Sequence, residues 1–139
     1  MALATHLADK SALARLSNPV VDQRLAPLIL AGAVATCGII ELEVLYSARS
    51  LSDLRRTRSQ RERAFEYVAM QDGDVRRAMD VMSLLAASGR HRSAGIPDLM
   101  IAAVAERAGL CVLHYDGDFD AIASVTGQAV EWVVPQGSL

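Results

Sequence analysis

Short apolar runs alternate along the chain with longer segments of helical periodicity. Four runs are rich in aliphatic side chains and cover 3–8, 34–37, 110–114 and 130–134. They are almost continuously apolar instead of alternating, which is typical of strands in a parallel sheet that is covered on both faces. The pattern therefore predicts an α/β fold with a central parallel sheet, because helices must fill the gaps between these strands.

The helices are predicted by their periodicity and their end signals. Apolar residues recur every three or four positions over 75–86, and Gly89 suits the end of that helix. Pro97 suits the first turn of a second helix, which is apolar on most sides until Gly109 ends it. The segment 38–47 is so apolar that we expect its helix to be largely buried.

Composition limits the class of protein. The chain has 139 residues, of which 52% are hydrophobic and 22% charged, so a packed core is expected and 1–139 is interpreted as one domain. The longest uncharged stretch, 25–40, has 16 residues and contains a proline and two glycines, which is too short for a membrane-spanning helix. No signal peptide is recognisable, and we expect a cytoplasmic protein. Cys37 and Cys111 are interpreted as buried thiols.

Basic residues are concentrated in one segment, although the net charge is −2. Thirteen of the 14 basic residues are arginines, and six of these lie within 49–63. Arginine suits phosphate oxygens, so this segment is consistent with contact to an RNA backbone or to an acidic partner. A solvated helix surface explains it equally well, and the sequence leaves both interpretations open.

Four aspartates occupy equivalent positions around the predicted sheet. Asp9 follows the first strand, Asp98 begins the central helix, and Asp116 and Asp118 follow the strand at 110–114. Residues just beyond the carboxyl ends of parallel strands converge on one edge of the sheet. Each aspartate taken alone is also typical of a helix cap or a turn.

Carboxylates that converge on one site repel one another, and this repulsion needs a compensating charge. Two carboxylates about 5 Å apart repel by roughly 3 kcal/mol at an effective dielectric constant near 20. A divalent cation removes this repulsion, and ligands that are all oxygen select Mg²⁺ or Mn²⁺. Such an ion lowers the pKa of a bound water and stabilises charge on phosphate oxygens, which suits phosphodiester hydrolysis.

A fifth acid is expected from the segment 38–47, which contains Glu41 and Glu43. Two positions apart on a helix, their side chains point about 200° apart, so at most one faces the predicted site. Periodicity alone does not choose between them.

Four segments, in this order and spacing, resemble a PIN-domain ribonuclease of the VapC type, the toxin of bacterial toxin–antitoxin pairs. They are 7–13 (LADKSAL), 43–49 (EVLYSAR), 96–103 (IPDLMIAA) and 114–119 (HYDGDF). The resemblance implies a three-layer α/β/α domain and an endoribonuclease that depends on Mg²⁺ or Mn²⁺. It also implies a cognate antitoxin, whose basic side chain can enter the acidic site, and a homodimer.

The resemblance assigns the site residues by motif. It places Glu43, and not Glu41, in phase with the small residues that follow. The four catalytic acids it implies are Asp9, Glu43, Asp98 and Asp116, and the metal ligands are Asp9, Asp98, Asp116 and Asp118.

The segment after the first aspartate contains one match and one departure from the family pattern. Ser11 matches a hydroxyl residue that orients the carboxylate of Asp9 from outside the metal shell. Lys10 replaces the usual Thr or Ser, and its charge is expected to compete with a metal for Asp9.

The resulting prediction is a toxin that hydrolyses phosphodiester bonds in cellular RNA. An alternative is a non-catalytic domain that binds Mg²⁺ or a partner, including a receiver-like signalling domain. A receiver needs a lysine late in the chain, and none follows Lys10. A PIN-like domain retained only for partner binding has the same acids, and the sequence does not separate it from an enzyme.

Overall fold

A parallel sheet of five strands forms the centre of the computed structural model, which describes residues 3–139. All pairings are parallel, and the strand order is β3-β2-β1-β4-β5. The strands are β1 His6–Ala8, β2 Val34–Thr36, β3 Glu66–Tyr67, β4 Cys111–His114 and β5 Val130–Trp132.

Seven helices connect and cover the strands of the described chain. They are α1 Lys10–Leu13, α2 Pro19–Leu30, α3 Gly38–Tyr46, α4 Leu51–Ala64, α5 Asp72–Ala86, α6 Ile96–Ala108 and α7 Asp118–Thr126. None of these helices is long and apolar enough to cross a membrane.

Both faces of the sheet are covered by apolar packing. Leu7 of β1 and Val112 of β4 lie in the core on the side of α5, α6 and α7. Ala8 and Leu113, the next residues on the same strands, lie in a second core on the side of α1 and α2. Successive strand residues therefore both meet apolar partners, which explains the continuous apolar runs. The predicted α/β fold with three layers is confirmed.

Helix α6 is the central helix of the larger core, as the sequence predicts. Pro97 lies in its first turn, where the missing N–H costs no helical hydrogen bond. Its residues 101–105 are all buried. Gly109 ends the helix with φ +70°, a left-handed conformation that glycine adopts without a Cβ penalty.

Two sequence expectations are wrong, and one strand was missed. Helix α3 is not largely buried: only Ile40 is, whereas Leu42 is 67% and Tyr46 92% exposed. Periodicity could not show this, because apolar residues lie on all sides of the helix while only some sides pack against α1, α4 and α6. Cys111 is half-buried, since it starts β4 at the rim of the sheet. Strand β3 was not predicted, because its two residues are exposed and polar at the sheet edge.

An ion pair with one buried member joins α5 to α6. The Asp74 carboxylate is almost fully buried and accepts hydrogen bonds from Arg107 Nε at 2.8 Å and Nη2 at 3.1 Å. It also accepts one from the Gln71 main-chain N–H at 2.8 Å, at the start of α5. These bonds, with the first contribution from Arg107, hold the pKa of Asp74 below its usual value.

Replacing Asp74 by alanine is expected to destabilise the fold by about 3 kcal/mol, because it removes a helix cap and a paired buried charge together. The depressed pKa adds a pH dependence: this stability is present above pH about 4 and is lost as the pH falls through the lower folded-state pKa. Urea unfolding of both proteins measures the difference.

Asp72→Ala is the matched control, because Asp72 lies on the same helix turn and pairs with Arg76 at the surface. Its effect is expected to stay within about 0.5 kcal/mol. Equal effects of the two substitutions would contradict the structural role given to Asp74.

Candidate functional site

The predicted acids meet at the carboxyl ends of β1 and β4, the adjacent strands at which the strand order reverses. Asp9 follows β1 directly, and Asp116 lies two residues beyond the end of β4. The first turn of α6 brings Asp98 to the same edge, and Asp118 begins α7. In open parallel sheets this reversal point is where a ligand crevice forms.

Three of the acids form a close group. Asp98, Asp116 and Asp118 each have an oxygen within 4.8 Å of the others. The Asp118 N–H donates to Asp116 Oδ1 at 3.0 Å, and Asp118 Oδ2 accepts from the Gly95 N–H at 3.1 Å. The turn after β4 is thereby fixed against the start of α6.

Asp9 is almost fully buried and has a structural contact as well. Its Oδ2 accepts the Ser11 main-chain N–H at 3.0 Å, which caps α1. The Ser11 hydroxyl accepts instead from the Tyr115 N–H at 2.9 Å. The expected hydroxyl contact to Asp9 is thus replaced: Ser11 holds Asp9 through its main chain, and its hydroxyl ties α1 to the loop after β4.

The cap and turn interpretations therefore apply to some acids and not to others. Asp9 caps α1, and Asp116 accepts a bond within its own turn. Asp98 lies inside the first turn of α6, whose cap is Gly95, and makes no capping bond. Helix capping thus gives no reason for an acid at position 98.

The structure separates the two glutamates of α3. Glu43 lines the cleft with Asp9, Asp98 and Asp116. Glu41 points to α4, where Arg61 Nε and Nη2 donate to its two oxygens at 2.8 and 2.7 Å. The placement agrees with the helix phase that the family motif implies, although a catalytic part for Glu43 stays a prediction. Sequence periodicity missed this because the deciding partner lies 20 residues away.

These residues surround an open cleft of about 340 Å³. Its lining comprises Asp9, Lys10, Ser11, Ala14, Arg15, Glu43, Pro97, Asp98 and Asp116. Sequence reasoning had not placed Arg15 here, because helix α1 is only four residues long and the chain after it shows no clear periodicity. The arginine-rich segment 49–63 supplies no lining residue in the part of the chain that the structure describes.

The acids influence one another electrostatically. Burial, a hydrogen bond with Asp118 and the charges of Asp9 and Asp116 raise the pKa of Asp98 from 3.8 to about 8. Burial and the same two charges raise the pKa of Glu43, against the opposing charge of Lys10. Without a cation, the cluster therefore keeps at least one carboxyl protonated at neutral pH.

The donor set fits a hard divalent cation. Every candidate ligand in the cleft is a carboxylate, the type of oxygen that Mg²⁺ and Mn²⁺ prefer. Glu43 Oε1 is buried and has no hydrogen-bond partner among residues 3–139. A buried acceptor in that state is available to a ligand, an ion or a water in the cleft. Asp98, Asp116 and Asp118 are close enough to share one ion. Glu43 interacts electrostatically with Asp9 and Asp116, so both Asp9 and Glu43 belong to the same charged group.

His114 supports the site from below. It is fully buried between the Phe119 and Trp132 rings, and its Nδ1 accepts the Asp116 N–H at 3.1 Å. Burial lowers its pKa, so the ring is neutral at neutral pH. His114 is thus a strand-end histidine bound to the main chain.

Replacing Asp98 by asparagine is expected to stabilise the metal-free protein, and more at high than at low pH. The Asp98 carboxyl ionises near 3.8 when unfolded and near 8 when folded, so the folded state binds the extra proton between these values. Wild-type stability therefore falls as the pH rises across this window, whereas asparagine does not ionise. Thermal unfolding with a chelator, at about pH 5 and about pH 8, measures the difference. A melting temperature for the variant that is lower than wild type at both pH values would contradict the electrostatic account.

Comparison with known proteins gives consistent results. The PIN domain family profile matches residues 7–125. Ribonuclease VapC21 of Mycobacterium tuberculosis is 49% identical over 133 residues, which is 96% of each chain. Ribonuclease VapC51 of the same organism is 46% identical over 134 residues, again 96% of each chain.

A solved structure is similar in fold. The DNA-bound VapBC complex of Salmonella typhimurium contains a chain that superposes with a TM-score of 0.71 at 18% identity, and the match covers 94% of this chain and 99% of that one. At that identity the likeness supports the fold alone. Since the domain profile covers most of the sequence and relatives reach nearly half identity, the chain belongs to the PIN domain family and, within it, to the VapC ribonucleases.

Proposed function

We propose that this protein is a Mg²⁺- or Mn²⁺-dependent endoribonuclease, the toxin of a type II toxin–antitoxin pair, which hydrolyses phosphodiester bonds in cellular RNA. The observation that carries the proposal is the convergence of four acids from distant parts of the chain on one open cleft, with Asp118 beside two of them. The relatives named ribonucleases support it. The cytoplasm, where its substrate lies, is the proposed location.

Each acid has a definite part in this proposal. Asp9, Asp98, Asp116 and Asp118 would hold the ion, and the positive charge of a bound ion would favour the ionised form of Asp98. The bound ion supplies an acidified water and charge stabilisation at the phosphate. Glu43 Oε1, which has no partner, accepts a hydrogen bond from the attacking water and orients it. No side-chain nucleophile is needed.

The same charge distribution suits inhibition by an antitoxin. An arginine from a partner segment would enter the cleft in place of a divalent ion, since both satisfy the carboxylates. The solved VapBC complexes, some of them bound to DNA, show that related chains assemble with partners. We propose a cognate antitoxin for this chain on that basis, and a homodimer on the family resemblance alone.

Asp98→Asn is expected to abolish RNA cleavage, with a loss of at least about 100-fold, because loss of an outer-shell contact alone costs 10- to 100-fold. The test is cleavage of total RNA by purified protein with Mg²⁺ or Mn²⁺, with a chelator arm. Asp72→Asn, a surface acid on α5, is the matched control and keeps wild-type activity. Equal cleavage by Asp98→Asn would identify a contaminating nuclease or refute the metal site.

Glu43→Gln and Glu41→Gln form a second matched pair. Glu43→Gln is expected to lower cleavage by at least about tenfold in a stable protein, because only this glutamate faces the cleft. Glu41→Gln is expected to cost stability, since it leaves the buried Arg61 with a neutral partner. Measuring both cleavage rate per folded molecule and urea unfolding separates the two effects. A larger loss of activity in stable Glu41→Gln protein would show that the glutamates have exchanged roles.

A further inference from the structure

Lys10 stands at the edge of the acidic cleft and is the only lysine in the sequence. It lines the cleft and also a neighbouring depression of about 290 Å³ that contains Leu42, Glu43 and Tyr46. Because Lys10 follows Asp9 in the chain and begins α1, its main chain is fixed relative to the metal-holding acids.

The ammonium group of Lys10 has a neutral partner. Nζ donates to Ser47 Oγ, at the end of α3, at 2.8 Å. Within residues 3–139 no carboxylate lies at ion-pair distance from this nitrogen. The expected competition between Lys10 and a metal for Asp9 therefore has no contact to support it. Two of the three ammonium donors remain free for a ligand.

Arg15, the other cation of the cleft, is already engaged. Its Nη1 donates to the Ser11 carbonyl at 2.6 Å, and its guanidinium stacks on the Tyr115 ring at 4.6 Å. Its geometry is set by these two contacts. Neither Arg15 nor Lys10 has a carboxylate partner within residues 3–139, but the Arg15 guanidinium is held by these two contacts, whereas two Lys10 donors remain free.

We propose that Lys10 binds a non-bridging phosphate oxygen of the RNA strand next to the cleaved bond, and that Ser47 positions the ammonium for this contact. The inference rests on the proposed ribonuclease function. Uncompensated carboxylates repel an RNA strand. A bound ion would offset this repulsion only for the phosphate that it contacts. A fixed ammonium at the cleft edge attracts the neighbouring phosphate and sets the strand's direction.

Steady-state cleavage of a short single-stranded RNA with Mn²⁺ tests the proposal. Lys10→Ala is expected to raise KM about tenfold, which corresponds to a loss of about 1.4 kcal/mol of binding free energy. Its kcat is expected to stay within about twofold of the wild-type value. The slope of log affinity against log salt is expected to shrink by about 0.7, the value for one phosphate contact in a single strand. Lys10→Arg is expected to bring KM most of the way back to the wild-type value. Ser47→Ala is expected to raise KM by less than Lys10→Ala does. Arg76→Ala, which removes a surface cation on α5, is the control without effect.

A single lysine also gives a direct spectroscopic probe. In protein labelled with ¹³C-lysine, the side-chain NMR signals belong to Lys10 alone. Titration of the Asp98→Asn variant with the same RNA is expected to shift these signals. Titration with Mg²⁺ alone is expected to leave them unchanged.

The possible outcomes distinguish a failure of the proposed ribonuclease function from a failure of the role proposed for Lys10. Wild-type protein that cleaves no RNA with any divalent ion overturns the proposed function. Wild-type cleavage with an unchanged KM and salt slope in Lys10→Ala overturns only the role of Lys10. Tighter Mn²⁺ binding and faster cleavage in Lys10→Ala would show that Lys10 acts as a counter-ion of the acids, which also overturns the inference.

Discussion

Mutual repulsion of carboxylates is the constraint on which the site depends. The fold brings Asp98, Asp116 and Asp118 within 4.8 Å of one another and adds the charges of Asp9 and Glu43. Such a cluster lowers the stability of the free protein, and the packed parallel sheet around it maintains the geometry. In the proposed function a divalent ion would offset the same repulsion on binding, so the cost in stability and the capacity for catalysis would have one source.

Much of the fold follows from the sequence alone. Parallel strands covered on both faces are almost continuously apolar, and four of the five strands were recognised by their apolar runs, although β5 contains the exposed Glu131. The carboxyl-end rule then places Asp9, Asp98 and Asp116 together without any knowledge of side-chain contacts. Strand β3 was not predicted because an exposed edge strand needs no apolar residues. The exposure of Leu42 was not predicted because hydropathy does not distinguish a packed side of a helix from a free one.

The finer features of the site depend on contacts between distant residues. The direction of Glu41 is decided by Arg61, and the direction of Lys10 by Ser47, which is 37 residues away. Neither partner is marked by spacing or by residue type. The family motif gave the phase of Glu43, but it could not show that the Lys10 ammonium binds Ser47 and makes no ion pair with a carboxylate of the described chain. These pairings are tertiary facts, and they decide which charges face the cleft.

Direct measurement of divalent-ion binding tests the central claim, that these acids together form a metal site. Calorimetric titration of chelator-treated protein with Mn²⁺ near neutral pH requires no RNA substrate. Saturable binding with proton release, weakened at least about tenfold by Asp98→Asn, is the expected result, since the ion displaces the proton that Asp98 holds. Absence of binding to the wild-type protein, or equal binding by the variant, would contradict the account.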